Sequence, residues 1–477
     1  MLLWSNSNLA GETSSKRPNI LFLFADDWAW PHASSLGYPE IKTPAFDRIA
    51  KEGMLFRNAH AAAPSCSPSR AAILTGQWPW RLEQGADLWS FIPPKFQVYP
   101  DLLEKAGYFV GMMGKGYGPG SNEGRPHNAA GPNFRDFDGF LKARPEGKQF
   151  CFWVGGHKPH RPYVVDSGVK IGHDPTKVLV PPYLPDNEVV RRDICDYLAA
   201  AEEFDQQVAG ILASLEKSGE LENTLIVISG DNGWPFPRGK ATCYDSGTHQ
   251  PLAIRWGGHI KPGRVVEDFV SLPDLAPTFL ELAGLEPPDS MTGRSLLNVI
   301  LSEKSGQVDP ARDHVLTSME RHASPGRSEG DAGNVGFPMR TILTKNFHYI
   351  LNFRSERWPA GDPPPDSELQ SEAIKKNTFA GFCDVDASPT KAWMLAHRDE
   401  PAVKPFYDRA FGKRPARELY DLRNDPYELK NLAEDPAHQD TVKDLDSRLM
   451  AELKATGDPR PSGGGDEFDR YPSAKAK

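Results

Sequence analysis

Residues 19–25 form an almost unbroken apolar run that ends on Asp26-Asp27, the pattern of a strand buried on both faces with polar groups at its carboxyl end. The same texture returns at residues 108–113, 150–154, 224–229 and 251–256. Helical patterns lie between several of these runs, at residues 193–217 and 273–283, and Thr43-Pro44 supplies an N-cap and first-turn proline for a helix ending near Gly53. Strands alternating with helices predict an α/β fold with a largely parallel sheet.

From about Phe337 the pattern changes. Residues 339–344 and 347–353 read as a hairpin, 359–365 as a Pro-rich irregular stretch, 418–421 as a strand entering a turn, and 439–454 as a terminal helix. The division expected is an N-terminal tail at 1–17, a main domain at 18–336 and a smaller C-terminal α+β subdomain at 337–477, with the Gly-, Pro- and charge-rich stretch from Gly457 frayed.

A chain of 477 residues exceeds one ordinary core, which agrees with that division. Its 64 acidic against 55 basic residues, net −9, argue against nucleic acid or an anionic membrane as partner, so an anionic substrate would need a local positive site. The five cysteines are too few and scattered for a disulfide framework, and none forms a Cys-x-x-Cys metal pair; one pair could still bridge in an exported protein. Residues 1–16 lack the hydrophobic centre of a signal peptide, and no run has the length of a membrane span. The expectation is a periplasmic or secreted protein if a leader is missing from this chain, and a cytoplasmic one if Met1 is the true start.

Asp26-Asp27 and Asp231-Asn232 both follow apolar strands, and ligand sites in open α/β sheets gather at the carboxyl ends of strands. Either pair alone reads as a turn or cap. Together they offer three carboxylates and an amide with no neighbouring His, a donor set for Ca²⁺ or Mg²⁺ rather than Zn²⁺.

Cys66-Ser67-Pro68-Ser69-Arg70 continues through a helix-like stretch to Gly76, a C-terminal stop. In isolation Cys66 reads as a small buried hydrophobe. The extended segment, however, resembles the maturation signature of the sulfatase family, and the resemblance spans nearly the whole chain from Pro18 to about Lys454. It implies an alkaline-phosphatase-like fold, a large mixed, mostly parallel sheet sandwiched by helices. It implies that a formylglycine-generating enzyme oxidises Cys66 to formylglycine, whose hydrated aldehyde offers one hydroxyl to attack sulfur and another to expel sulfate. It also implies one Ca²⁺, with Mg²⁺ as the alternative, held by Asp26, Asp27, Asp231, Asn232 and the matured residue 66.

By the same resemblance Arg70 steadies the nucleophile and metal shell, while Lys115 and Lys240, each preceded by Gly, hold sulfate oxygens. His157, in Gly155-Gly156-His157-Lys158-Pro159-His160, corresponds to the histidine that protonates the leaving group. His160 is carried as a substrate contact or a structural residue bonding a backbone carbonyl, and His249 as a further substrate contact. His322 is the last candidate and suits a surface position better. One departure stands out: Gly114-Lys115-Gly116-Tyr117 puts Tyr where many sulfatases have a histidine, and an unperturbed tyrosine is a poor base at neutral pH.

The segments Asp231 to Lys240, 178–185 and Phe337-Pro338-Met339-Arg340 look closest to heparan N-sulfatase, the sulfamidase branch. The function implied is hydrolysis of a sulfamate or sulfate ester on a carbohydrate. Other readings are an O-sulfatase of another polysaccharide, a phosphonate or phosphodiester hydrolase, and a non-catalytic sulfoglycan-binding protein. Sulfated glycan and the maturing enzyme are the partners implied; a homodimer is left open.

Overall fold

The computed structural model describes residues 17–329, 334–368 and 372–474. Most of the N-terminal tail, 1–16, therefore lies outside the described residues. The main sheet contains β1 (Asn19–Asp26), β2 (Met54–His60), β3 (Phe109–Gly114), β4 (Phe150–Pro159), β5 (Thr224–Gly230), β6 (His249–Trp256) and β7 (Arg264–Ser271), in the spatial order β3-β4-β1-β5-β6-β2-β7. β3, β4, β1 and β5 run parallel; β6 is antiparallel to both its neighbours, and β2 pairs with β7 in parallel. The sheet is thus mixed and mostly parallel, as expected.

All eight residues of β1 are buried, with Leu21 aligned to Phe152 of β4 and Ile226 of β5. Alternation along β1 feeds two separate cores. Leu21, Leu23 and Ala25 pack with Ile194, Tyr197 and Leu198 of the long helix Glu188–Lys217, while Ile20, Phe22 and Phe24 pack with Ile73 and Leu74 of the helix Cys66–Thr75 and with Phe279 of the helix Leu275–Leu282. A strand covered on both faces needs a continuous apolar run, which explains why β1 is legible in sequence.

Among the described residues a second, antiparallel sheet has the order β11-β10-β9-β8, from β8 (His314–Met319), β9 (Met339–Thr344), β10 (Phe347–Asn352) and β11 (Arg417–Asp421). It packs on the helix Gln439–Ala455 through Ile342, Tyr349, Leu445 and Leu449. The expectation of a frayed tail is corrected through the described residues up to 474. Asp458 bonds Arg340 at 2.5 Å, Arg460 bonds Glu320 at 2.9 Å, and Phe468 is buried, so a buried ion-pair network pins a segment whose composition suggested disorder.

Candidate active site

The carboxyl ends of the parallel strands converge. β1 delivers Asp26 and Asp27, β5 is followed by Asp231 and Asn232, Lys115 follows β3, and His157 stands near the end of β4. The helix Cys66–Thr75 aims its first residue at them, with Ser65 in extended conformation as N-cap and Gly76 in the left-handed region (φ 64°) as stop. Cys66 Sγ lies 3.4 Å from Asp26 Oδ1 and 3.8 Å from Asp27 Oδ1.

The surrounding cations are held tightly. Lys115 Nζ donates to both Asp26 oxygens at 2.7 Å, and Lys240 Nζ donates to Asp27 Oδ2 at 2.8 Å. Arg70 is fully buried: its Nε donates to Asp231 Oδ2 at 2.8 Å and one terminal nitrogen to the carbonyls of Lys115 and Gly116, while its guanidinium lies 5.0 Å from the Phe24 ring centroid. Its other terminal nitrogen stands 3.7 Å from Asp26 Oδ1 with no hydrogen-bond partner.

Burial pushes the Cys66 thiol well above its usual range, an effect that Lys115 and Lys240 only partly offset. Burial also raises Asp231, to about 6, against the opposing pull of Arg70. Asp26 is held well below the usual carboxylate range because Lys115, His160 and Arg70 together outweigh its burial. Burial opposes charge on Lys115, but Asp26 with Cys66 and Asp231 together outweigh it and keep the ammonium. His157 falls below 6.5, first through partial desolvation and then through Lys115 and Arg70, against the pull of Asp26.

Ligand atoms of Asp26, Asp27, Cys66 and Asp231 all lie within 4.8 Å of one another. Asn232 Nδ2 donates to Asp27 Oδ1 at 2.7 Å, leaving its Oδ1 buried without a partner. An orphaned amide oxygen beside three carboxylates fits a hard divalent cation, and the all-oxygen set resembles calcium coordination more than zinc.

Cys66, Asp26, Lys115, His157, His160, Lys240 and His322 line a common cavity of about 470 Å³. His160 makes the expected backbone bond and also stands on the cavity wall. Its Nδ1 donates to the carbonyl of Arg161, and its Nε2 lies 3.8 Å from Asp27 Oδ2. His322 corrects the surface expectation: it is 5% exposed, paired with Ser65 at 2.8 Å, and shifted by burial down to about 4.

Two candidates are not brought to this cavity wall. Tyr117 is buried in the core, its hydroxyl pairs with Ser90 at 2.7 Å, and burial pushes its ionisation further up, so it does not present a base. His249 lies instead in a separate cavity of about 790 Å³, stacked between Trp30 and His60 with its Nε2 donating to the Arg57 carbonyl at 2.8 Å. All five cysteines are free and buried, so no pair bridges.

The structure adds residues that sequence reasoning missed. Asp386 accepts from Lys240 Nζ at 3.2 Å, and Trp89, Phe379 and Cys383 line the cavity with it. Asp386 follows the irregular segment after Asn377 and belongs to no strand-end motif, so only the fold reveals it.

A family model described as Sulfatase matches residues 18–131 and 132–285. An ulvan-active sulfatase of Formosa agariphila is 27% identical, covering 93% of this chain and 76% of that protein. The N-sulphoglucosamine sulphohydrolase of Homo sapiens is 28% identical, covering 92% and 91%. Among solved structures, a protein in complex with its substrate D-glucosamine-2-N,6-O-disulfate superposes with a TM-score of 0.68 at 20% identity, covering 94% of this chain and 100% of that one.

Proposed function

The chain belongs to the sulfatase family, and on that premise we propose that it releases sulfate from a sulfated amino sugar, N-sulfate first, with Cys66 in its matured formylglycine form. That it is a sulfuric ester hydrolase follows from the family. The observation that carries the finer reading is the position of Cys66 Sγ at a helix N-terminus, against Asp26 and Asp27, which are themselves bonded to Lys115 and Lys240. Burial disfavours the thiolate, the nucleophilic form of cysteine, which supports maturation over thiol chemistry.

Matured, residue 66 supplies a hydrated aldehyde, with one hydroxyl for sulfur and a second for expelling sulfate. Asp26, Asp27, Asp231 and Asn232 would hold a Ca²⁺, which would supply Lewis acidity and favour the ionised hydroxyl. The chain's own residues do the rest. Lys115 and Lys240 bind sulfate oxygens, and Arg70 fixes Asp231 and the carbonyl of Lys115, which sets the mouth of the anion site. His157, exposed at the cavity mouth, gives a proton to the departing nitrogen or oxygen.

The N-sulfate preference is supported by the human relative and by the Asp231 to Lys240 segment. The test is sulfate release by matured protein from N-sulfated and from 6-O-sulfated glucosamine. Faster release from the N-sulfated sugar is expected. Release from the O-sulfated sugar alone would overturn the preference, and release from neither would overturn the catalytic reading.

A further inference from the structure

We propose that Asp386 is a selectivity residue, which reserves the pocket for singly charged tetrahedral esters and disfavours doubly charged ones. This deepens the hydrolase reading above and rests on it. Each acid clustered at the nucleophile already has a basic partner without Asp386. Carboxylates Asp26, Asp27 and Asp231 face Arg70, Lys115 and Lys240, three charges of each sign, each acid bonded to one of the bases at 2.7–2.8 Å. Asp386 is a fourth carboxylate, 3.2 Å from Lys240 Nζ. Lys240 is already paired with Asp27 at 2.8 Å, so Asp386 sets a second carboxylate on the same ammonium.

An anion-binding pocket gains nothing in affinity from an extra carboxylate, so its place in the cavity wall calls for another explanation. The Asp386 side chain is only 14% exposed, where solvent screens charge weakly. Its work against a bound anion scales with the anion's charge. A sulfate ester carries one negative charge and a phosphate monoester mostly two near neutral pH, although both present tetrahedral oxygens to Lys115 and Lys240. Shape alone therefore separates them poorly, and a fixed negative charge beside Lys240 separates them by electrostatics.

The experiment compares kcat/KM for an aryl sulfate and the matched aryl phosphate in matured wild type, Asp386→Asn and Asp386→Glu. The sulfate-to-phosphate ratio is expected to fall by about tenfold or more in Asp386→Asn and to stay near wild type in Asp386→Glu. A role confined to steadying Lys240 makes a different prediction: a loosened cation costs the doubly charged ester at least as much. A ratio that is unchanged or rises in folded Asp386→Asn therefore overturns the proposal. Should Asp386→Asn fail to fold, Asp386→Ser takes its place, and failure of both makes Asp386 a stability residue and overturns selectivity. Wild type that turns over neither ester overturns the hydrolase reading and this inference with it; wild type active on sulfate with an unresponsive ratio overturns this inference alone.

Discussion

His157 puts the chemistry of the leaving group on one side chain. A sugar oxygen or amine leaves badly without a proton, whereas a nitrophenolate leaves unaided. His157→Ala is therefore expected to lower kcat/KM on a sulfated sugar by about a hundredfold or more, within the usual span of general acid catalysis, and on nitrophenyl sulfate far less. Equal losses on the two substrates would make His157 a sulfate-binding residue. At this scale the sequence was most informative where chemistry is written contiguously: Asp26-Asp27, Cys66 to Arg70 and Asp231-Asn232 all meet in the pocket. It was least informative where a lone residue arrives from an irregular segment, as with Asp386, or where a side chain can turn two ways. Tyr117 turns to Ser90, and no spacing rule foretells that.

Between elements, the tightest constraint is the closing of β3 against β4. A Cβ on Gly155 would stand 1.7 Å from the Lys115 carbonyl oxygen, the same oxygen that accepts from Arg70 and from Trp153 Nε1. Gly155→Ala must displace that carbonyl and, with it, Arg70. The expected result is a loss of about 1–3 kcal/mol in stability, the usual cost of overpacking, together with loss of sulfate release. Gly210, on an open face of the helix Glu188–Lys217, is the control: Gly210→Ala should add about 0.5–1 kcal/mol and leave turnover alone. Melting curves and sulfate assays on the two variants decide it; an unaffected Gly155→Ala would contradict the close approach. β1, β4 and β5 were legible as apolar runs because both faces are covered. β2 and β7 were not, since β2 carries Arg57-Asn58 through a register shift and β7 exposes Glu267, which breaks the run.

Over the whole molecule, two sheets and a pinned C-terminal segment carry a pocket that reaches a cluster of three carboxylates through Asp26. A cation bound there only by the folded state stabilises that state. Exhaustive chelation is expected to lower the melting temperature and abolish turnover, with Ca²⁺ restoring both; unchanged melting and activity would remove Asp26, Asp27, Asp231 and Asn232 from a metal role. Among the described residues no helix is long and apolar enough to cross a membrane. The C-terminal region was read less well because its order rests on the long-range pairs Arg340–Asp458 and Arg460–Glu320, which composition does not reveal. The central claim concerns one atom of this assembly, Cys66 Sγ, and the most direct measurement is the mass of the peptide bearing residue 66 taken from protein that releases sulfate. The account predicts a peptide lighter than the encoded one by the exchange of a thiol for an aldehyde; active protein in which that peptide retains its thiol throughout would contradict it.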